Sequence, residues 1–346
     1  MSSVNSVLQP LAVSQPRLTL GQTVLAIGVV NGLDQSIYDV PYIIGSLRSA
    51  ATYFGSGSRF TRGLAELMRQ GATDIIAVAI SDESDLVNLL DYLVDQPFDI
   101  VVPIGLNASV PSRVSLFANF AHTREQLGRP VVVVMSADGT QPNPGLSCPL
   151  IPAQPVAINT ARYFVFAVDQ LIFNPNLPAQ YIADAAPSVA GLISRFPAQI
   201  SVTNQTLRKV KLASELDATT RQSLSKNGFF CLRNSVRKGV TPQAAVTAAS
   251  SGSYLNSLTI LRCTQYVTAY LQQQTQGWVG EPAPSQVQKL VSDILTSLQD
   301  QGVILAYSAN TQVAQVQGTI TITLSILPPY ETQMVTVYTR VNLQSQ

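Results

Sequence analysis

One histidine, His122, and three cysteines, Cys148, Cys231 and Cys263, limit the reactive chemistry open to this chain. A serine hydrolase would have to pass its proton through His122, yet no Gly-x-Ser-x-Gly elbow is present to expose a nucleophile. His122 falls inside a helix expected over 111–127 and reads as a helix-surface residue. The cysteines are far apart and odd in number, which fits neither a disulfide framework nor a zinc pattern. They are expected to be reduced, small apolar residues. Asp82, Glu83 and Asp85 crowd together, but at a helix start, where the positive end of the helix dipole favours carboxylates. No Gly-Lys-Ser/Thr occurs, and the first strand is followed by Asn31–Gly32–Leu33–Asp34 in place of a GxGxxG turn. Gly55–Ser56–Gly57–Ser58 could hold an anion on a helix N-terminus, although a flexible turn and an N-cap account for it. No catalytic residue, metal site or cofactor is expected.

The elements that would position such groups alternate. Thr23–Val30 reads as a buried strand. Ser46 caps a short helix to Phe54, and Ser58 a longer one over Arg59–Gln70, with Phe60, Leu64, Leu67 and Met68 on one face and Gly71 as its C-cap. Strands follow at Asp74–Ile80, Asp99–Val102 and Pro130–Met135, separated by helices at Glu83–Leu93 and Pro111–Leu127. Apolar β-rich runs separated by amphipathic helices imply parallel strands joined by crossovers. A proline-rich stretch over 136–160 reads as a loop before a strand at Ala161–Asp169 and a helix at Ala185–Arg195. Ser201–Leu212 is ambiguous. Asp217 begins a helix ending at Asn227–Gly228, a strand covers Phe229–Arg233, and helices span Leu255–Gln274 and Ser285–Gln301. The last helix carries Val287, Leu290, Val291, Ile294, Leu295 and Leu298 as an apolar stripe.

Both ends differ from this core. Pro10 and Pro16 interrupt the first twenty residues, in which Val4, Val7, Leu8, Leu11, Val13 and Leu18 are scattered through polar surroundings. An extended arm reaching about 60 Å fits that composition. Near the other end Ile320, Ile322, Leu324 and Ile326 alternate with hydroxylated residues, Pro328–Pro329 interrupts, and Val335, Val337, Thr339, Val341 and Leu343 share one face. A strand so close to the chain end needs a partner, and another molecule can supply it.

Charged residues make up 12% of the chain, about half the usual share, and the net charge is +1. A surface this poor in charge repels itself weakly and favours association. No basic stripe suits nucleic acid, and Arg208–Lys209–Val210–Lys211 reads as a solvated strand or rim contact. No apolar stretch is long enough for a membrane span. Without a basic residue before Arg17, the start does not resemble a signal peptide, so cytoplasmic synthesis and assembly are expected.

Several segments together resemble one family. Tyr254–Leu255–Asn256, then Gly277–Trp278–Val279–Gly280–Glu281–Pro282, the helix to Gly302 and the alternating strand ending in Pro328–Pro329 are similar to contractile phage tail sheath proteins. Upstream, Leu64–Ala65–Glu66–Leu67 leading to Gly71 and the strand Asp74–Ile80 match an early helix–Gly–strand unit. Val101–Val102–Pro103 and Ser188–Val189–Ala190–Gly191 with Arg195 resemble two more segments. The chain departs from the family pattern at Ala79, at Ala137–Asp138–Gly139 and at Ala248–Ala249–Ser250, which implies a divergent or compact sheath, of a phage or of a related injection system.

The expected fold class is α/β: a doubly wound, mostly parallel layer, then a C-terminal α+β domain with a closing β-hairpin, and extended N- and C-terminal arms. The boundaries are an arm over 1–20, the α/β domain over 21–200, the sheath-like α+β domain over 201–333 and a strand or arm over 334–346. The resemblance implies a virion-tail structural protein, not an enzyme, with stacked rings around an inner tube and arms that add strands to neighbouring subunits. Its partners would be further copies, the tube protein, and baseplate and tail terminator proteins, with no nucleic acid and no membrane insertion. Lys289, Asp293 and Asp300, on the polar side of the Ser285–Gln301 helix, are the candidate tube-facing residues. The competing reading is an α/β small-ligand-binding protein or enzyme using loops near Gly32, Gly55 and Ser81.

Overall fold

The computed structural model describes residues 22–137, 161–174, 181–249, 256–275, 284–314 and 319–329. Its centre is a seven-stranded sheet built from β1 (Val24–Val29), β2 (Tyr42–Ile43), β3 (Ile75–Ile80), β4 (Ile100–Ile104), β5 (Val132–Ser136), β6 (Phe164–Ala167) and, further along the chain, β10 (Phe229–Phe230). The spatial order is β10-β6-β5-β4-β1-β3-β2. All neighbours are parallel except β2, which runs antiparallel along the edge of β3. The chain leaves β1 for β3 on one side and returns to β4 on the other, the doubly wound path expected from the alternation of strands and helices.

Every residue of β3, β4 and β5 is buried, as the apolar runs require when helices cover both faces of a parallel sheet. Alternate side chains enter two cores. Val24, Ala26, Ile75, Ala77, Ile100 and Val132 face one, and Leu25, Ile27, Ile76, Val78, Val101 and Val133 face the other. Helices α1 (Leu47–Phe54), α2 (Arg59–Gln70) and α5 (Ala186–Arg195) close the first core, while α3 (Leu86–Leu93) and α4 (Pro111–Gln126) close the second.

Local signals act as the sequence suggests. Ser46 forms a reciprocal capping box with Ser49, and Ser58 accepts from the Thr61 amide at 3.0 Å. Gly71 ends α2 with φ +119°, a left-handed cap. Asp82 accepts from the Ser84 amide and starts a 3₁₀ turn, Glu83–Asp85, ahead of α3. Gly191 serves packing: a Cβ there would lie 2.5 Å from the Leu67 carbonyl oxygen, so α5 crosses α2 at backbone contact.

Beyond the sheet, β7 (Gln170–Phe173) pairs with β8 (Tyr181–Asp184) and with β9 (Val210–Leu212) in a small antiparallel sheet. Helix α6 (Ala218–Lys226) is capped by Asp217 and leads to β10. The expected single strand over Phe229–Arg233 divides at Cys231: β10 completes the large sheet, and β11 (Leu232–Ser235) forms a hairpin with β12 (Gly239–Pro242). The large sheet therefore takes its outermost strand from beyond residue 200. A third core gathers α7 (Leu258–Thr275), α8 (Pro284–Asp300) and the hairpin of β13 (Ala306–Ala314) and β14 (Thr319–Leu327). The closing hairpin thus uses a strand before β14 that the residues had not marked, because the alternation of β13 rests on small and polar residues such as Ala309 and Thr311 and is weaker than that of β14. The segment with Val335, Val337, Thr339, Val341 and Leu343 lies outside the described residues, as do Cys148 and the N-terminal arm with Val4, Val7, Leu8, Leu11, Val13 and Leu18.

Candidate functional site

The α8–hairpin unit has two usable surfaces. Val287, Val291, Ile294, Leu295 and Leu298 point into the third core, as the stripe predicts. Lys289, Asp293 and Asp300 are exposed on the other side of α8. The hairpin is fastened to the helix by the Tyr307 hydroxyl, 2.8 Å from Thr296 Oγ1 and 3.4 Å from Ser292 Oγ. β13 and β14 pair in register from Ala306↔Leu327 to Ala314↔Thr319. Among the described residues neither strand has a second neighbour, leaving nine-residue rows of backbone donors and acceptors on both outer edges. Long open edges recruit further strands. Leu324 and Ile326 pack against the third core while Thr323 and Ser325 are exposed, so the alternation correctly assigned the faces of β14.

A cavity of about 280 Å³ opens beyond the carboxyl ends of β4 and β5. Arg59, Arg62, Glu66, Gly105, Tyr181 and Asp184 are among its walls. Arg59 pairs with Asp184 at 2.7 Å, and Arg62 sits over the Tyr181 ring at 5.6 Å. The Tyr181 hydroxyl donates to the buried Glu66 carboxylate, which also meets Arg69 at 3.0 Å. Burial raises the Glu66 pKa, opposed by Tyr181 and Arg69, and burial also pushes the Tyr181 hydroxyl up. These contacts tie α2 to β8, so the walls read as a structural clasp. Gly32, Gly55 and Ser81 do not line the cavity. The cavity lies instead on the β4–β5 side, against Pro103, Gly105 and Ser136.

The other sequence candidates for chemistry are accounted for locally. His122 is exposed on α4 and bonds to Gln126. Glu83 forms an ion pair with Arg113 at 2.6 Å, and Asp85 accepts from Ser81. Cys231 and Cys263 are buried free thiols, each pushed up to about 12 by desolvation. Among the described residues no cluster of His, Cys, Asp or Glu could hold a metal ion.

Sequence reasoning missed three buried charges that lie apart from the cavity. Arg124 donates to the carbonyl oxygens of Leu93, Val94, Gln96, Phe98 and Arg129, gathering the open end of α3 and the turn into β4. Burial lowers its pKa to about 10. Arg262 ties α7 to the end of α5 through Phe196 and Pro197 oxygens. Asp169 accepts from the Leu232 amide at 2.7 Å where the chain changes sheets, and burial raises its pKa to about 7. One signal was available: Arg124 shares a helix face with buried Phe117 and Ala121, where a cation needs carbonyl partners.

This mixed α/β fold, a largely parallel sheet with separate antiparallel sheets, is shared with solved contractile-sheath proteins. The structure matches the helical sheath of the anti-feeding prophage in its contracted state with TM-score 0.70 and 13% identity, covering 98% of this chain and 99% of that one. A chain of the 6-fold symmetrised baseplate of the same particle matches with TM-score 0.73 and 14% identity, over 99% and 100% of the two chains. The sheath tail protein of Desulfitobacterium hafniense matches with TM-score 0.67 and 10% identity, over 92% and 99%. At such identities the likeness is one of fold. No protein-family model matches the sequence, and no curated protein sequence does.

Proposed function

We propose that this chain is a structural, non-enzymatic subunit of a contractile tail sheath. Copies stack as rings around an inner tube, are linked by strands exchanged through their terminal arms, and contract to drive the tube through the host envelope. The observation that carries this reading is the match over nearly the whole length to chains of a contracted helical sheath and of a baseplate. The low charge content supports polymerisation, and the open β13–β14 edges suit strand addition by Val4–Leu18 of one neighbour and Val335–Leu343 of another. Links made of main-chain hydrogen bonds survive while the bodies rotate. Each contributes only about 1 kcal/mol net, so contraction draws on many subunits acting together. Lys289, Asp293 and Asp300 on α8 are the proposed tube-facing residues. Baseplate and terminator proteins would end the stack, which assembles in the host cytoplasm and works in the tail of a phage or a related injection system.

Negative-stain electron microscopy across a concentration series tests this, with the full chain beside a deletion of residues 1–18. Striated hollow tubes lost on deletion are expected. Tubes that persist without the arm would remove strand exchange by that arm. Uniform small particles at every concentration, even with tube protein co-expressed, would overturn the sheath reading.

The second reading, a small-ligand-binding protein or enzyme, draws on the cavity beyond β4 and β5. It predicts a monomer or small closed oligomers and a melting temperature raised by a ligand, which a thermal-shift screen would reveal.

A further inference from the structure

Charge in this nearly neutral chain is segregated. Residues 201–240 hold eight of its 21 Lys and Arg but only two of its 20 Asp and Glu, whereas residues 81–99 hold six Asp and Glu and no base. The basic segment forms one surface: β9 touches both strands of the β11–β12 hairpin, and Arg208, Lys209, Lys211, Arg237 and Lys238 are all exposed there. None of the five has a carboxylate partner among the described residues. At the hairpin tip beside Arg237, Val236 is fully exposed, with a relative accessibility of 105%.

The outer face of α3 is its counterpart. Asp91 lies there without a basic partner among the described residues, flanked by exposed Val87 and Tyr92. Asp82 is a helix cap nearby, while Glu83 and Asp95 are partly neutralised by Arg113 and Arg129. Each surface thus combines uncompensated charge of one sign with exposed apolar groups, a pairing suited to steering followed by desolvation.

The two surfaces belong to opposite sides of the molecule. α3 buries Leu86, Leu89, Leu90 and Leu93 in the core on one face of the large sheet, whereas Val210, Leu212, Leu232 and Val240 beneath the basic surface enter the core on the other. They cannot meet within one chain. We propose that the basic face of β9 and the β11–β12 hairpin docks onto the outer face of α3 in a second copy, with Val236 set against Val87 and Tyr92. Such a contact is head-to-tail, and repeated it closes a ring or continues as a helix. It rests on the assembly reading above and assigns that reading a contact between subunit bodies, separate from the arms.

Two full-length variants test it. Arg237→Glu with Lys238→Glu makes the hairpin tip around Val236 acidic, and Asn88→Lys with Asp91→Lys makes the outer face of α3 basic. All four positions are exposed, and unchanged circular dichroism and melting would verify folding. In sedimentation velocity and negative stain at low salt (about 50 mM), each variant alone should need roughly tenfold more protein to associate than the natural chain. An equimolar mixture should recover to within about threefold, because each reversed face then meets its complement. Normal assembly by each variant alone, or a mixture that fails to recover, would overturn this contact and leave the sheath reading intact. A natural chain that stays monomeric at every concentration and salt, even with tube protein co-expressed, would overturn both.

Discussion

The guanidinium carbon of Arg124 lies 3.9 Å from the centre of the Phe98 ring, and its Nη2 donates at 3.0 Å to the carbonyl of that same residue. A single side chain from α4 thereby holds the whole connection from α3 to β4. Replacing Arg124 with Ala strips several buried carbonyls of their donor and should destabilise the fold by roughly 3 kcal/mol. Lys restores the charge but not the planar fork or the stacking and should recover less than half of that loss. Urea unfolding of the two variants checks the order.

Gly191 places α5 directly on the backbone of α2. In a Gly191→Ala variant the new Cβ would stand 2.5 Å from Leu67 O and 2.9 Å from Gln70 Cβ. The helices must separate, with an expected cost of about 1–3 kcal/mol. Gly57→Ala, where nothing lies within 4 Å of an added Cβ, should leave the melting temperature almost unchanged. Comparable losses at both positions would show that close packing is not the reason for glycine at 191.

Asp169 gives the fold a dependence on pH. Burial raises its pKa from 3.8 to about 7 in the folded chain, so between those values the folded state holds a proton that the unfolded state has released. Stability from this group is greatest below about pH 4, falls as pH rises toward 7 and stays low above it, by up to roughly 4 kcal/mol. Asp169→Asn keeps an acceptor for the Leu232 amide and has nothing to titrate. Denaturant melts from pH 4 to 8 should show a flatter profile for Asn, with its relative advantage growing toward pH 7.

On α8, Lys289→Glu and Asp293→Lys change exposed residues opposite the buried stripe. Each should alter monomer stability by less than about 0.5 kcal/mol. If this face meets the tube, the same changes will reduce the fraction of sheath assembled on co-expressed tube. An undiminished fraction would move the tube-facing surface elsewhere.

Charging one face of the C-terminal segment tests its proposed register. Val337→Asp should block assembly far more than Thr336→Asp, because strand addition sets alternate side chains on opposite faces. Equal effects in a tube-formation assay would discredit that face assignment.

Much of the architecture was legible in residue order. Ser46, Ser58 and Asp217 marked helix starts, and Gly71 marked an end, because caps act within a few residues of themselves. The buried strands β1, β3, β4 and β5 showed as apolar runs, and the stripe on α8 identified its buried side. Such signals are local or periodic, so a sequence carries them whole. β2, β7, β8, β9 and β12 were not legible, since strands of two to four residues are too short to display a period and exist through their pairing.

The amino-acid sequence by itself determined the alternating elements of the large sheet, the scarcity of charge and the lack of a histidine or cysteine constellation. Tertiary structure alone decided that Phe229–Phe230 closes the large sheet while the next residues leave it. It also decided that β14 pairs with the weakly patterned β13. The same holds for Arg124, Arg262 and Asp169, whose partners, Arg129 apart, are reached across 26 to 66 residues. A buried charge is satisfied by whatever backbone groups the fold brings to it, and no spacing along the chain announces which those will be.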